Sequence, residues 1–262
     1  MAVYFIFYLR LILKKFLFVD LDDTLFQTLG KCAGVAGLQP VGYLKDGVAI
    51  SFTTPRQRAF FEMMSASMTL IPSTARNLDA LRRVDLPFNS YSIIDYGGVV
   101  LKPCGAVDEF WLETMRADMQ QALPGLHAAM AVLDDYCQKV GFKGRARLVE
   151  DCNTPFYALI KDPDKIDANL EQIDHEALQP WVAGEGKDFF IHRNGNNLAL
   201  LPKTLNKARA VDYVRSLLQK EYGEIMTIGM GDSQSDARFM ASCDYALIPN
   251  GTQLAKLTVA AL

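Results

Sequence analysis

Asp20, Asp22, Asp23 and Thr24 crowd three carboxylates and a hydroxyl directly behind the apolar run Phe16-Leu17-Phe18-Val19. Like charges so close repel one another unless a cation offsets them, and an oxygen-rich donor set suits a hard divalent ion such as magnesium. The segment therefore reads as a metal-dependent phosphate site. Its plain alternative is that Asp22 or Asp23 caps the next helix, since Asp is a favoured N-cap residue. A second cluster repeats the grammar: Ile225-Met226-Thr227-Ile228-Gly229-Met230 leads into Gly231, Asp232 and Asp236 at the start of a helical pattern. Four residues make about one helical turn, so Asp232 and Asp236 can face the same side.

Two further pieces lie between these clusters. Met68-Thr69-Leu70-Ile71-Pro72 runs into Ser73 and Thr74, whose hydroxyls could donate to a phosphate oxygen or serve an ordinary turn. Lys203 and Lys207 precede a helical pattern over 208–218. Either lysine could neutralise a phosphate or a nucleophilic carboxylate, or simply be a solvated surface charge.

Such groups need rigid supports. A continuous apolar run reads as a strand buried on both faces of a parallel sheet, where ligands bind just beyond the carboxyl ends of the strands. Residues 41–52 alternate around Asp46-Gly47, a hairpin signal beside the first acidic cluster. Thr54-Pro55-Arg56-Gln57 opens a helix expected to reach about Met68, with Thr54 as N-cap, Pro55 at the first position and Gln57 closing a capping box. Residues 91–94 and 99–101 flank the turn Asp95-Tyr96-Gly97-Gly98. From about Pro103 the rhythm changes to helices over 108–123 and 126–140 and strands over 146–150 and 156–160. A helix-prone stretch, 165–178, then precedes strands over 189–192 and 198–201 joined around Asn194-Gly195-Asn196. The pattern predicts an α/β protein into which residues 103–200 insert a compact α-plus-β module.

Together the four chemical pieces resemble the haloacid dehalogenase superfamily of phosphohydrolases. The first family motif, an apolar strand and D-x-D-x-T, is met by Asp20, Asp22 and Thr24. The second is met best by Thr74, because Thr74-Ala75-Arg76 is similar to the T-G-R of the sugar-phosphatase branch, with Ala75 replacing the usual glycine. Lys207, within Leu205-Asn206-Lys207-Ala208, fits the third motif better than Lys203, and Gly231, Asp232 and Asp236 supply the fourth, G-D-x-x-x-D. The hairpin at 41–52 resembles the family's flap. Residues 103–200 resemble the large cap of class IIB, a branch rich in sugar phosphatases and phosphomannomutases. Tyr96 departs from the N-G-A often found at that turn.

The resemblance implies a doubly wound, Rossmann-like core over residues 14–102 and 201–262, capped by the insert. It also implies chemistry: Asp20 attacks phosphorus, and Asp22 protonates the leaving oxygen and then takes a proton from water, with neighbouring negative charge keeping it protonated when needed. Magnesium (Mg2+) would be held by Asp20, the Asp22 backbone carbonyl and Asp232, with Asp236 in support, while Thr74, Ala75 and Lys207 bind the phosphate. Dehalogenases of the superfamily lack an acid at the position of Asp22, so its presence favours phosphoryl transfer. The cap would exclude water and contact the leaving group. Glu150, Asn153, His192 and Arg193, with their neighbours Asp151 and Asn194, are candidate substrate contacts or ordinary turn residues. Arg76 could bind phosphate or pair with an acid. His127 and His175 sit in helical patterns and read as surface or core residues.

With 262 residues, 50% of them hydrophobic and 22% charged, the chain can bury a substantial core. A net charge of -3 without long charge runs gives no sign of a nucleic-acid or membrane partner. The five cysteines, Cys32, Cys104, Cys137, Cys152 and Cys243, show no C-x-x-C spacing, and one is left over, which favours a reducing cytoplasm. Residues 1–13 are mostly apolar, but Arg10, Lys14 and Lys15 interrupt the stretch before a membrane-spanning length is reached. They read as an extension packed on the domain, a start codon placed too early, or a weak membrane anchor. The expectation is thus a magnesium-dependent phosphatase acting on a small phosphorylated metabolite, such as a sucrose-phosphate or mannosylglycerate-type compound. A phosphomannomutase-like isomerase is the chief alternative. A non-catalytic phosphosugar-binding regulator is the other, against which the occupation of every motif counts.

Overall fold

The computed structural model describes residues 13–261. The apolar extension expected at 1–13 lies, save Leu13, outside them. Strand β1 (Lys14–Val19) shows why its sequence is apolar without alternation. Phe16 and Phe18 enter one hydrophobic cluster while Leu17 and Val19 enter another, so both faces are buried.

After β1 the chain forms a small antiparallel sheet from β2 (Gln27–Thr28), β3 (Gln39–Tyr43) and β4 (Ala49–Thr53), in the order β2-β4-β3. This is the hairpin expected at 41–52, closed where Leu44 N donates to Val48 O at 2.8 Å. Helix α1 (Pro55–Ser65) starts on the expected capping box, with Thr54 and Gln57 bonded reciprocally, and stops three residues short of Met68. It leads to β5 (Thr69–Pro72), the short α2 (Leu78–Leu81), and a hairpin of β6 (Ser92–Ile94) and β7 (Val99–Leu101).

Where two helices separated at Pro124-Gly125 were expected, a single helix, α3 (Glu109–Val140), runs through both residues. Interior proline costs a helix about 3 kcal/mol. Burial on both sides of the proline offsets this: Trp111, Leu112, Met115 and Met119 pack in the first cluster, while Leu126, Ala129, Leu133 and Cys137 pack in a separate one. The inserted sheet follows, from β8 (Arg147–Asp151), β9 (Thr154–Ile160), α4 (Asp167–Ile173), a π turn, α5 (Gln179–Ala183), β10 (Phe189–Asn194) and β11 (Asn197–Pro202). Its order is β10-β11-β9-β8 and every pair is antiparallel. Alternation splits its faces: Tyr157, Leu159, Ala199 and Leu201 join the first cluster, whereas Ala158, Ile160, Leu198 and Leu200 pack under α3 and α4.

The chain then returns through α6 (Lys207–Tyr222), β12 (Ile225–Met230), α7 (Ala237–Ala241), β13 (Tyr245–Leu247) and α8 (Gln253–Ala260). The principal sheet is entirely parallel, in the order β13-β12-β1-β5. The protein is therefore α/β, as expected, with the parallel sheet covered on both faces.

Candidate active site

The carboxyl end of β1 is clamped between its neighbours. Asp20 N donates to Met230 O at 2.8 Å, and Ser73 N donates to Val19 O at 2.8 Å, so the ends of β12, β1 and β5 are brought level. Beyond β1 no helix begins, and neither Asp22 nor Asp23 is a helix cap. Instead Leu21 O accepts from the N–H groups of Thr24, Leu25 and Phe26 at 3.3, 2.9 and 3.3 Å, a tight loop in which Asp23 takes φ 65°. The loop turns Thr24 back on itself. Its hydroxyl lies 3.3 Å from Asp20 Oδ2 and 3.4 Å from Asp232 Oδ1.

Lys207, the first residue of α6, supplies the positive charge. Its Nζ donates to Asp20 Oδ1 at 2.6 Å and to Asp236 Oδ1 at 2.7 Å, with all three residues buried. Lys203, the other sequence candidate, is exposed. Two glycines permit this approach. A Cβ on Gly97 would stand 2.6 Å from Asn206 O, in a backbone at φ +97°, so only glycine lets the 95–98 turn abut the start of α6. A Cβ on Gly231 would stand 2.4 Å from the Cβ of Asp236. Asp236 is further held by the Ser233 hydroxyl at 2.5 Å and the Ser233 N–H at 3.1 Å.

Oxygens of Asp20, Asp232 and Asp236 lie within 4.8 Å of one another. Three carboxylates against one ammonium leave a formal deficit of two positive charges, and hard oxygen donors suit a divalent cation of the magnesium or calcium type. The donor set fits such an ion. Burial pushes the Asp20 carboxyl well above its usual range, opposed by Lys207. Burial also raises Asp232 to about 6, with Asp236 adding to the effect. Burial works to raise Asp236 too, but Lys207 and Ser233 overcome it and hold the group low. Lys207 is itself penalised by burial, yet the two acids hold its pKa well above that of an ordinary lysine.

Asp22 points elsewhere. Its carboxylate takes both prongs of the Arg76 guanidinium, Nε to Oδ2 and Nη2 to Oδ1, each at 2.7 Å, so a cation joins the negative neighbour expected, Asp20, whose carboxyl feels the charge of Asp22. This fork-to-fork geometry is the strong form of a carboxylate pair, and it answers the open question about Arg76. Thr74 is buried, and its Oγ1 accepts from Arg76 N at 3.1 Å; Ala75, next in the chain, is half-buried. Ser73 is fully buried, and its hydroxyl finds no partner among the described residues.

No family model matches the chain. Over 107 residues it is 31% identical to the glucosyl-3-phosphoglycerate/mannosyl-3-phosphoglycerate phosphatase of Persephonella marina, a match spanning 40% of this chain and 35% of that protein. Thus the chain covers only about a third of the curated relative's length. The sucrose-phosphatase of Synechocystis, solved with sucrose and phosphate, superposes with a TM-score of 0.53 at 15% identity, covering 94% of this chain and 96% of that one. The C-terminal domain of the Candida albicans (C. albicans) trehalose-6-phosphate phosphatase gives 0.52 at 11% identity, covering 87% and 73%. The fold is haloacid dehalogenase-like. The resemblance read from the motifs therefore stands, down to the sugar-phosphatase kind of relative.

Within this fold the candidates on the antiparallel sheet turn in different directions. Among them, Glu150 and Asn153 are exposed, and Arg193 turns to Asp167, with Nη2 2.6 Å from Oδ1. His192, one residue earlier on β10, faces the opposite way. Its ring meets Tyr96 edge-on at 5.3 Å, and the fields of Lys207 and Asp236 reach it. Burial, reinforced by Lys207, depresses His192 to about 4 and keeps it neutral. Tyr96 also meets Tyr157 of β9 edge-on at 5.3 Å. Asp95 and Tyr96 both take left-handed backbone, at φ 51° and 57°. Neither Asp95, Tyr96 nor Tyr157 was a sequence candidate. The signal was present for Asp95, which ends an apolar strand in an acid just as Asp20 does.

Proposed function

We propose that this chain is a magnesium-dependent phosphatase that hydrolyses a sugar phosphate through an aspartyl-phosphate intermediate. The reading is carried by one observation: Asp20, Asp232 and Asp236, from opposite ends of the sequence, converge around Lys207 at the carboxyl edge of a parallel sheet. The names of the relatives, all phosphatases of sugar-derived phosphates, support the same reaction class.

Asp20 is the nucleophile in this scheme. Its carboxylate oxygen forms the new bond to phosphorus as the bond to the leaving oxygen breaks. Asp20, Asp232, Asp236 and the Asp22 backbone carbonyl would hold the magnesium, which when bound neutralises charge on the phosphoryl group. Lys207 offsets the remaining charge and holds Asp20 in line, while Thr74, Ala75 and Lys207 bind the non-transferring oxygens. Asp22 gives a proton to the leaving oxygen and later removes one from the water that hydrolyses the acyl-phosphate. For this it must turn from Arg76, a movement open to a side chain that is 40% exposed. Residues 103–200 serve as the cap, and the free cysteines fit a reducing cytoplasm.

Phosphate release from p-nitrophenyl phosphate and from a panel of sugar phosphates tests the proposal. The expected result is hydrolysis that stops with a chelator, returns with magnesium, and is lost in Asp20→Asn. Full turnover by that variant would sink the nucleophile assignment.

A further inference from the structure

Asp95 is buried to 0% exposure, and among the described residues no N–H or hydroxyl donor reaches its carboxyl oxygens, whose one side-chain partner is another carboxyl. Buried carboxyls are otherwise satisfied almost without exception, because an unmet oxygen pays its full desolvation cost. The group that Asp95 does face is another acid, Asp151, at the end of β8 in the inserted module. Asp151 is anchored on the core, its Oδ2 accepting from Leu78 N at 2.7 Å and its Oδ1 from its neighbour Cys152 N at 2.8 Å. Burial, followed by Asp151, raises the Asp95 carboxyl to about 9, so Asp95 holds a proton at neutral pH. Two carboxyls thus confront each other across the boundary between core and insert.

Their surroundings are those of a small polar ligand rather than of a cation. Tyr157 lies close enough to Asp95 to feel its charge, Tyr96 stands edge-on to Tyr157, and His192 closes the far side as a neutral ring. Asp95 also adjoins the leaving-group side of the candidate site, since its N–H donates at 2.9 Å to the carbonyl of Arg76, the residue whose guanidinium grips Asp22. A ligand that satisfies both carboxyls must bring several donors, accept a hydrogen bond in return, and present apolar C–H edges to the rings. Neighbouring hydroxyls on a sugar ring do all three.

Resting on the phosphatase reading above, we infer that Asp95 and Asp151, walled by Tyr96, Tyr157 and His192, form the subsite for the leaving group's sugar hydroxyls. In the absence of substrate the two acids satisfy one another. When the insert lifts, a polyhydroxylated leaving group replaces that contact, and its hydroxyls donate to Asp151 and exchange hydrogen bonds with Asp95. A leaving group without neighbouring hydroxyls leaves the acids unmet and is discriminated against.

The test compares trehalose 6-phosphate, glucosyl-3-phosphoglycerate and glucose 6-phosphate with p-nitrophenyl phosphate, in the unaltered chain and in Asp95→Asn and Asp151→Asn. The unaltered chain is expected to prefer at least one sugar phosphate. In each variant, the ratio of its kcat/KM to that of the aryl phosphate should fall at least tenfold, chiefly through KM. Asp95→Asn keeps the volume and a hydrogen bond to Asp151, so circular dichroism and a urea midpoint separate misfolding from lost recognition; if one variant misfolds, the other decides. No preference for any sugar phosphate, or a loss shared equally by both substrate kinds, overturns the subsite and leaves the phosphatase reading standing. Absence of magnesium-dependent hydrolysis of every compound would overturn the phosphatase reading itself.

Discussion

Two sets of buried acids in this protein are handled in opposite ways. At the end of β1, Asp20 and Asp236 share the Lys207 ammonium at 2.6 and 2.7 Å. Where the antiparallel sheet meets the parallel one, Asp95 is just as deeply buried and faces a second acid, Asp151, with Tyr157 nearby. The first set is satisfied by the protein's own residues and leaves a charge deficit for a metal. The second has no partner of opposite charge among the described residues, and Asp95 survives there by holding a proton. Buried charge that is paired preorganises a site, whereas buried polarity left unmet marks a place where something else is meant to bind.

The largest way to break this contrast is to remove the shared cation. Lys207→Met leaves Asp20 and Asp236 buried and unpaired, which is expected to cost about 3–5 kcal/mol in urea denaturation and to lower hydrolysis by about a thousandfold or more. Retention of full stability would mean that the triad is less buried than described. Next comes the turn that admits Lys207. Gly97→Ala would put a Cβ 2.6 Å from Asn206 O at φ +97°, so a loss of about 1–3 kcal/mol is expected, with hydrolysis falling because the start of α6 shifts.

Asp95→Asn should act in the opposite direction, stabilising the fold by about 1 kcal/mol at neutral pH because an amide can donate to Asp151 at no ionisation cost. The pH dependence has a definite sign. The folded Asp95 pKa of about 9 exceeds its ordinary value of 3.8, so its stabilising contribution is complete below about 4 and is lost as pH rises through 9. The advantage of Asp95→Asn should therefore grow from pH 5 to pH 8; a constant difference would show that Asp95 does not titrate in that window. The smallest effect is expected at His192. Its folded pKa of about 4 lies below the ordinary 6.5, so its contribution is present above 6.5 and lost as pH falls through 4. His192→Gln should flatten the stability profile across that interval, and an unchanged slope would assign it to other groups.

Local features proved legible in the chain. The capping box of Thr54 and Gln57, the hairpin at Asp46-Gly47 and the strand running into Asp20 each depend on neighbours a few positions apart, and the fold keeps them. The pairing of Asp22 with Arg76 was not legible, because it joins residues 54 positions apart and Arg76 fitted phosphate binding equally well. Nor was the continuity of α3, where local propensity argued for a break at Pro124 that burial against two separate clusters overrides.

Residue types and spacing alone determined which acids, hydroxyls and lysine were available, and that they sat at strand ends, since motif chemistry and strand periodicity are written over short stretches. Only the tertiary structure decided who meets whom. Lys207, already favoured over Lys203 by its motif, reaches Asp20 because helix α6 starts against the 95–98 turn. His192 rather than Arg193 faces the core because a strand sends successive side chains to opposite faces, and the packing of the insert selects which face is turned inward. Asp95 meets Asp151 for the same reason: contacts across a boundary between two sheets depend on how the sheets dock, and no short run of residues encodes that.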